Sequence, residues 1–145
     1  MEADRLGGCK GLVVILDTSI VLDIARGVIP LSSIGDVLSS SYKLVTLRGV
    51  LEELSRIAGG GGLRSRIARR ALNLVEEVGV VVLDEGVGGV DDALVALALS
   101  LKGKCRVIVA TNDRALRRRL RREGVPTMYY RRARGGLEVE WHPVY

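Results

Sequence analysis

Short apolar runs alternate along this sequence with longer segments of helical periodicity. Residues 12–16, 43–47, 80–83 and 106–110 are brief stretches rich in Val, Leu and Ile, which is typical of strands buried on both faces. Strands that alternate with helices form mostly parallel sheets with right-handed crossovers. We therefore predict an α/β domain with a central sheet of about five strands and helices on both faces.

The remaining segments complete this pattern. Helices are predicted from residue 17 to about 26 and over 30–40, 48–58, 63–78, 93–101 and 114–122; a fifth strand is predicted over 126–130 and an edge strand over 137–141. With 145 residues, of which 48% are hydrophobic, the chain fits one domain, 1–145. Within it, residues 1–10 are expected to be flexible and 131–145 to form a C-terminal extension or edge strand.

Acidic residues stand where strands end or helices begin. Asp17 follows the first strand, Asp113 follows the fourth, and Asp91 and Asp92 precede the apolar helix. Glu53 lies early in the helix after the second strand. In a parallel sheet these places share one edge, outside the carboxyl ends of the strands, where ligands bind. We expect the carboxylates to meet there, although each aspartate taken singly could be only a helix N-cap.

The choice within each acidic pair depends on helical periodicity. Glu53 borders the apolar stripe of its helix, whereas Glu52 points toward solvent, so Glu53 is the better candidate. Between Asp91 and Asp92 the periodicity makes no choice, because the helix that follows them is apolar on every face.

Crowded carboxylates repel one another unless a cation neutralises them, and oxygen ligands favour Mg²⁺ or Mn²⁺. Cys9, Cys105 and the lone His142 show no zinc-ligand spacing. The cysteine usage favours an intracellular, reducing setting, and the apolar runs are too short to cross a bilayer. We expect a cytoplasmic protein with no membrane association.

Basic residues are concentrated in the last third of the chain. Residues 102–134 hold 12 of the 22 basic residues and only 2 of the 17 acidic ones. Four arginines lie on one face of the predicted helix 114–122 and two more follow the fifth strand: Arg114, Arg117, Arg118, Arg121, Arg131 and Arg132. Guanidinium groups suit phosphate oxygens, so these residues are candidates for RNA binding; the alternative is a solvated surface helix.

Four segments, residues 14–19, 50–54, 92–96 and 109–116, resemble the PIN-domain ribonucleases in sequence and in order. The resemblance implies a PIN-like, Rossmann-like three-layer fold. It also selects Asp92 over Asp91, and so implies a catalytic metal site of Asp17, Glu53, Asp92 and Asp113, with Asp91 as the alternative metal ligand. Supporting polar groups would come from four neighbouring residues, Thr18, Ser19, Thr111 and Asn112.

The implied activity is hydrolysis of RNA phosphodiester bonds with Mg²⁺ or Mn²⁺, by endonucleolytic cleavage. The Arg-rich helix and the segment after it look closest to archaeal and eukaryotic PIN proteins related to small-subunit ribosomal RNA processing. The resemblance further implies RNA as a partner, and it leaves room for a homodimer, an antitoxin or a ribosome-assembly protein.

Three other interpretations compete with this one. A VapC-type toxin would share the acidic site but act with an antitoxin. An RNA-binding PIN domain without activity would have lost acidic residues, and all four are present. A receiver-like phosphate switch would need an aspartate ending its third strand and a lysine after its fifth; Asp84 suits the first place, but Arg131 and Arg132 occupy the second.

Overall fold

Six strands form one sheet in the computed structural model, which describes residues 11–84 and 88–141. In chain order they are β1 (Leu12–Leu16), β2 (Tyr42–Leu47), β3 (Val81–Leu83), β4 (Arg106–Ala110), β5 (Thr127–Arg131) and β6 (Gly136–Glu140). The spatial order is β3-β2-β1-β4-β5-β6. The first five strands are parallel, and β6 pairs antiparallel to β5 in a register that sets Thr127 opposite Glu140.

Within the described residues, six α-helices cover the two faces of this sheet. They are α1 (Thr18–Ala25), α2 (Ser33–Leu38), α3 (Arg48–Ala58), α4 (Gly62–Val78), α5 (Val90–Lys102) and α6 (Arg114–Arg122). Helices α1, α3 and α4 pack against one another, while α5 contacts β2 and β4. The predicted α/β class with three layers is confirmed.

The core explains why the strands have their apolar sequences. All five residues of β1 are buried because this strand lies at the centre of the sheet and is covered on both faces. Helix α5 packs beside it with Leu94, Leu97 and Leu101 at most 2% exposed. Each such leucine contributes roughly 1.5–3 kcal/mol through its burial. The apolar character of α5 therefore reflects its place in the core.

Some boundaries differ from those predicted. Helix α5 starts at Val90 with Gly89 as its N-cap, so Asp91 and Asp92 lie inside its first turn and not before it. Helix α2 is shorter than the predicted 30–40, because Ser39 takes a left-handed backbone conformation (φ 52°) that ends it.

The expectations for the termini and for the cysteines have different outcomes. The predicted edge strand is present as β6, whereas residues 1–10, Cys9 and His142 lie outside the described residues. Cys105 is buried just before β4. In the described ranges, no helix combines the length and the apolarity that crossing a bilayer requires.

Candidate active site

Asp17 lies where β1 ends, on the carboxyl side of the central strand of the sheet. It is the N-cap of α1, and its Oδ1 accepts a 2.7 Å hydrogen bond from the backbone N–H of Thr18. Its side chain is buried, with only 6% of the residue exposed. A carboxylate in such a place serves as a cap and, because its second oxygen points elsewhere, can serve another purpose as well.

Two hydroxyl groups hold the second oxygen of Asp17. Oδ2 accepts from Thr111 Oγ1 at 2.7 Å and from Ser19 Oγ at 3.2 Å. Burial raises the pKa of Asp17 above its ordinary value, the hydrogen bonds from Thr111 and Thr18 oppose that rise, and the negative charge of Asp91 adds to it. The carboxyl group is thus fixed in position by hydrogen bonds, but these do not fully offset the rise in its pKa that burial causes.

Asp113 lies at the end of the neighbouring strand β4. It is the N-cap of α6, where its Oδ1 accepts from the N–H of Leu116 at 2.9 Å. Its own N–H donates to Thr111 Oγ1 at 3.1 Å, so one threonine links Asp113 to Asp17. The Asp113 side chain is exposed toward the opening of the site.

The first turn of α5 brings Asp91, not Asp92, to this site. Asp91 lines the same cleft as Asp17 and Asp113, whereas Asp92 forms a 2.6 Å ion pair with Arg119 on the surface. Removal from water raises the pKa of Asp91, and the charges of Asp113 and Glu53 raise it further. The family resemblance favours Asp92 over Asp91, whereas the structure has Asp91 at the cleft; which of the two binds metal stays a prediction. Adjacent residues on a helix point about 100° apart, so only one of them can face the cleft.

Glu53 enters the site from α3. It is half-buried at the cleft, while Glu52 is exposed and lines a different cavity beside Asp84. The helical periodicity of the sequence likewise favours Glu53 over Glu52. Four separate elements thus contribute one carboxylate each to a cleft of about 500 Å³, lined chiefly by Asp17, Thr18, Glu53, Arg56, Arg64, Asp91 and Asp113.

The carboxylates share this cleft without converging on one point. Across 11–84 and 88–141, no three His, Cys, Asp or Glu side chains are close enough as placed to hold an ion. The carboxylates are nevertheless near enough to interact, since, in addition to removal from water, the charges of Asp113 and Glu53 raise the pKa of Asp91. Thr18 Oγ1, also at the cleft, is buried and has no hydrogen-bond partner among the described residues. An unpartnered buried hydroxyl and an oxygen-only donor set both fit a hydrated hard cation.

Asn112 supports the site from the side and does not line the cleft. Its backbone N–H donates to Ser19 Oγ at 3.2 Å, and its Nδ2 donates to Asp23 Oδ2 at 2.7 Å. Its Oδ1 accepts from the N–H of Tyr130 at 2.8 Å. One amide side chain therefore joins α1 to β5 and fixes the loop that carries Thr111 and Asp113.

The arginines predicted to bind RNA fall into two groups. Arg121 donates two hydrogen bonds to Glu140, at 3.0 and 2.8 Å, and Arg131 pairs with Glu138 at 3.2 Å. These ion pairs hold α6 and β5 to β6. The other four have no carboxylate partner among the described residues: Arg114, Arg117, Arg118 and Arg132.

Three residues of the site are not among those predicted from the sequence. Arg56 and Arg64 line the cleft from α3 and α4, and Asp23 accepts from both Asn112 and Arg26. Arg56 follows Glu53 by three positions and so shares its helix face, a spacing that could have identified it. Arg64 and Asp23 gave no such signal, because their positions depend on how α1 and α4 pack together.

Comparison with solved structures places the fold among PIN domains. The structure of the PIN domain endonuclease Utp24 matches with a TM-score of 0.70 and 24% sequence identity, over 90% of this chain and 92% of that chain. VapBC-1 from nontypeable Haemophilus influenzae matches with a TM-score of 0.53 and 20% identity, over 76% and 93% of the respective chains. Comparison with curated proteins gives no significant match. The family model described as PIN like domain matches residues 14–133, and the chain belongs to this family.

Proposed function

We propose that this protein is a nuclease that hydrolyses RNA phosphodiester bonds with the help of Mg²⁺ or Mn²⁺. Asp17, Glu53, Asp91 and Asp113 would hold the metal. One observation carries the proposal: four carboxylates from four separate elements line a single cleft at the carboxyl ends of β1 and β4. Asp17 and Asp113 also cap helices, but capping does not require four carboxylates to share one cleft, where their charges repel one another; binding of a cation would account for the arrangement.

The donor set determines the kind of ion. All four ligands are carboxylates, and Mg²⁺ binds oxygen while keeping several of its own waters. Retained waters would bridge carboxylates that stand apart, and the unpartnered hydroxyl of Thr18 could donate to such a water or to a carboxylate that binds it. Glu53, Asp91 and Asp113 are more exposed than Asp17, whose side chain is already held by three hydrogen bonds.

The residues of the cleft divide the work of hydrolysis. A bound divalent ion would supply an activated water and stabilise the charge that develops on the phosphoryl oxygens. Asp17 would hold the ion in a fixed position, because Thr111 and Ser19 donate hydrogen bonds to its Oδ2 and so orient the carboxylate. Arg56 and Arg64, which line the same cleft, would hold a non-bridging phosphate oxygen by charge-assisted hydrogen bonds. Nothing in this scheme needs a side chain as nucleophile.

The similar proteins inform the choice of substrate and role. One is described as an endonuclease and the other as VapBC-1, and the former matches over more of this chain. We infer endonucleolytic RNA processing as the role, with the ribosomal RNA precursor as the substrate class and a ribosome-assembly protein as a partner. A homodimer and a cytoplasmic location belong to the same proposal. The alternative is a VapC-type toxin, for which an antitoxin would be the partner.

A covalently closed, single-stranded RNA circle tests the activity and its mode together, because a circle has no end for an exonuclease. We expect Mg²⁺ or Mn²⁺ to permit linearisation and EDTA to prevent it. Asp17→Asn should reduce cleavage to background, while Asp36→Asn, which changes an exposed aspartate on α2 away from the cleft, should cleave normally. Full activity in Asp17→Asn, or cleavage that persists in EDTA, would refute the proposal. Stable RNA binding without cleavage in any metal would instead indicate the inactive RNA-binding module.

A further inference from the structure

Another cavity, of about 480 Å³, lies beside α6 and β5. Its walls include Asn112, Arg114, Arg117, Tyr129 and Arg132, and none of the described residues that line it is acidic. Asn112 faces this cavity while the next residue, Asp113, faces the cleft. One loop therefore separates a basic cavity from an acidic one.

The arginines of this cavity are not all available to a ligand. Arg131 is paired with Glu138, so its charge is already compensated within the fold. Arg114, Arg117 and Arg132 have no carboxylate partner in the described part of the chain. Three uncompensated guanidinium groups around one cavity make it a site for an anion.

Arg117 is the most constrained of the three. Its guanidinium carbon lies 3.4 Å from the ring centroid of Tyr129, a stacked arrangement that fixes the plane of the group. Its Nε is buried and has no hydrogen-bond partner among the described residues. A buried donor without an acceptor is costly, so a native structure rarely keeps one without a reason. An oxyanion in the cavity would supply the missing acceptor and a fork of parallel hydrogen bonds.

We propose that this cavity binds a backbone phosphate of the RNA strand, one that neighbours the scissile phosphate held in the acidic cleft. The inference rests on the proposed nuclease function for its substrate class. It adds a division of labour: the acidic cleft carries the chemistry, while Arg114, Arg117 and Arg132 set the register of the strand. Arg121 and Arg131, which are committed to β6, take no part in binding.

Binding can be measured apart from cleavage, with a fluorescein-labelled single-stranded RNA, in EDTA, by fluorescence anisotropy. We expect Arg117→Gln and Arg132→Gln each to weaken binding by about tenfold at about 50 mM salt. Each should also make the negative slope of log K (the association constant) against log salt less steep by about 1. Arg122→Gln is the matched control, since Arg122 is exposed at the end of α6 and lines neither cavity. It removes the same charge and should leave Kd within about twofold.

Two results would overturn the subsite. One is an unchanged Kd and salt slope in Arg132→Gln, whose exposed side chain can be replaced without disturbing the fold. The other is an equal loss in Arg122→Gln, which would indicate attraction by net charge alone. Failure of the nuclease proposal looks different: no metal would support cleavage of the circle, yet the contrast between Arg132→Gln and Arg122→Gln would persist. The subsite would then stand as part of an RNA-binding protein.

Discussion

Thr111 Oγ1 donates a 2.7 Å hydrogen bond to Asp17 Oδ2, joining the ends of β4 and β1 across the candidate active site. The same oxygen accepts from the N–H of Asp113 at 3.1 Å. Both Thr111 and Asp17 are buried, and the hydroxyl is used once as donor and once as acceptor. A single side chain thus fixes the spacing between two of the four carboxylates.

Thr111→Val should impair cleavage more than it impairs folding. Valine fills the same volume but leaves Asp17 Oδ2 with one hydroxyl partner fewer and the Asp113 N–H without an acceptor. We expect activity to fall by about 10–100-fold, as when a partner that orients a metal ligand is lost. The cost in stability should be about 1–3 kcal/mol.

Thr46→Val is the matched control for this substitution. Thr46 is equally buried, lies in β2, and donates at 2.8 Å to the backbone carbonyl oxygen of Leu16, the residue before Asp17, and not to a carboxylate. It should show a similar loss of stability with near-normal cleavage. Denaturant unfolding and circle linearisation measure the two effects. Equal losses of activity in both variants would mean that Thr111 acts only through the stability of the fold.

Asp91→Asn and Asp92→Asn differ by one position and should differ in effect. Asp91 lines the cleft, whereas Asp92 pairs with Arg119 outside it. Mg²⁺ at a hundred times its Kd should stabilise the native protein by about 2.7 kcal/mol, and Asp91→Asn should remove most of that gain. Asp92→Asn breaks an exposed ion pair worth at most about 1 kcal/mol and should keep the response to metal. Thermal melts with and without Mg²⁺ decide the matter; a lost response in Asp92→Asn alone would restore the original choice of Asp92.

The site residues that can be predicted from the sequence are those whose positions follow from patterns among neighbouring residues. The order of strands and helices places Asp17 and Asp113 at one sheet edge, and helical periodicity favours Glu53 over Glu52; the structure has these three residues at one cleft. Both patterns are properties of neighbouring residues, so the sequence contains them. The metal-binding roles of these residues stay predictions.

The features of the site that cannot be predicted from the sequence depend on contacts between elements that are distant along the chain. Helix α5 is apolar on every face, so its pattern cannot orient Asp91 and Asp92; the pairing of Asp92 with Arg119 reveals the orientation, and that arginine is on another helix. The arginine stripe of α6 likewise gave no hint that Arg121 would be bound to Glu140. Such ion pairs can be predicted only when the order of the strands in the sheet is known, because that order decides which helices and strands are neighbours.

The charge of the site predicts an unusual dependence of stability on pH. The folded-state pKa of Asp91 is raised, by removal from water first and then by Asp113 and Glu53. A carboxyl group of this kind destabilises the fold above its folded pKa, and this cost disappears as the pH falls through that value toward the unfolded pKa. In EDTA, Asp91→Asn should therefore have a higher Tm than the wild type at neutral pH, with a difference that shrinks on acidification. A constant difference across the pH range would contradict the shifted pKa.

Metal should reverse that order. With Mg²⁺ in excess the wild type gains stability through binding to the ionised carboxylates, and Asp91→Asn does not, so the two melting curves should approach or cross at neutral pH. Melts at neutral pH with increasing Mg²⁺ give the measurement. A gain of equal size in both proteins would place the ion somewhere other than beside Asp91.

Asn112→Asp should destabilise the protein, because it replaces the hydrogen bond between Asn112 and Asp23 with two carboxylates that repel each other. The Nδ2 of Asn112 donates to Asp23 at 2.7 Å, and a carboxylate in its place would face Asp23 with no proton between them at neutral pH. We expect a loss of about 1–3 kcal/mol, recovered in part as acidification returns a proton to the pair. Asn73→Asp, on the exposed face of α4, makes the same chemical change where no hydrogen bond involves the side chain of Asn73 within the described residues, and should stay within about 0.5 kcal/mol. Urea unfolding at neutral and at mildly acidic pH compares the two variants. Equal stability of both would show that the link from α1 to β5 through Asn112 contributes nothing to the fold.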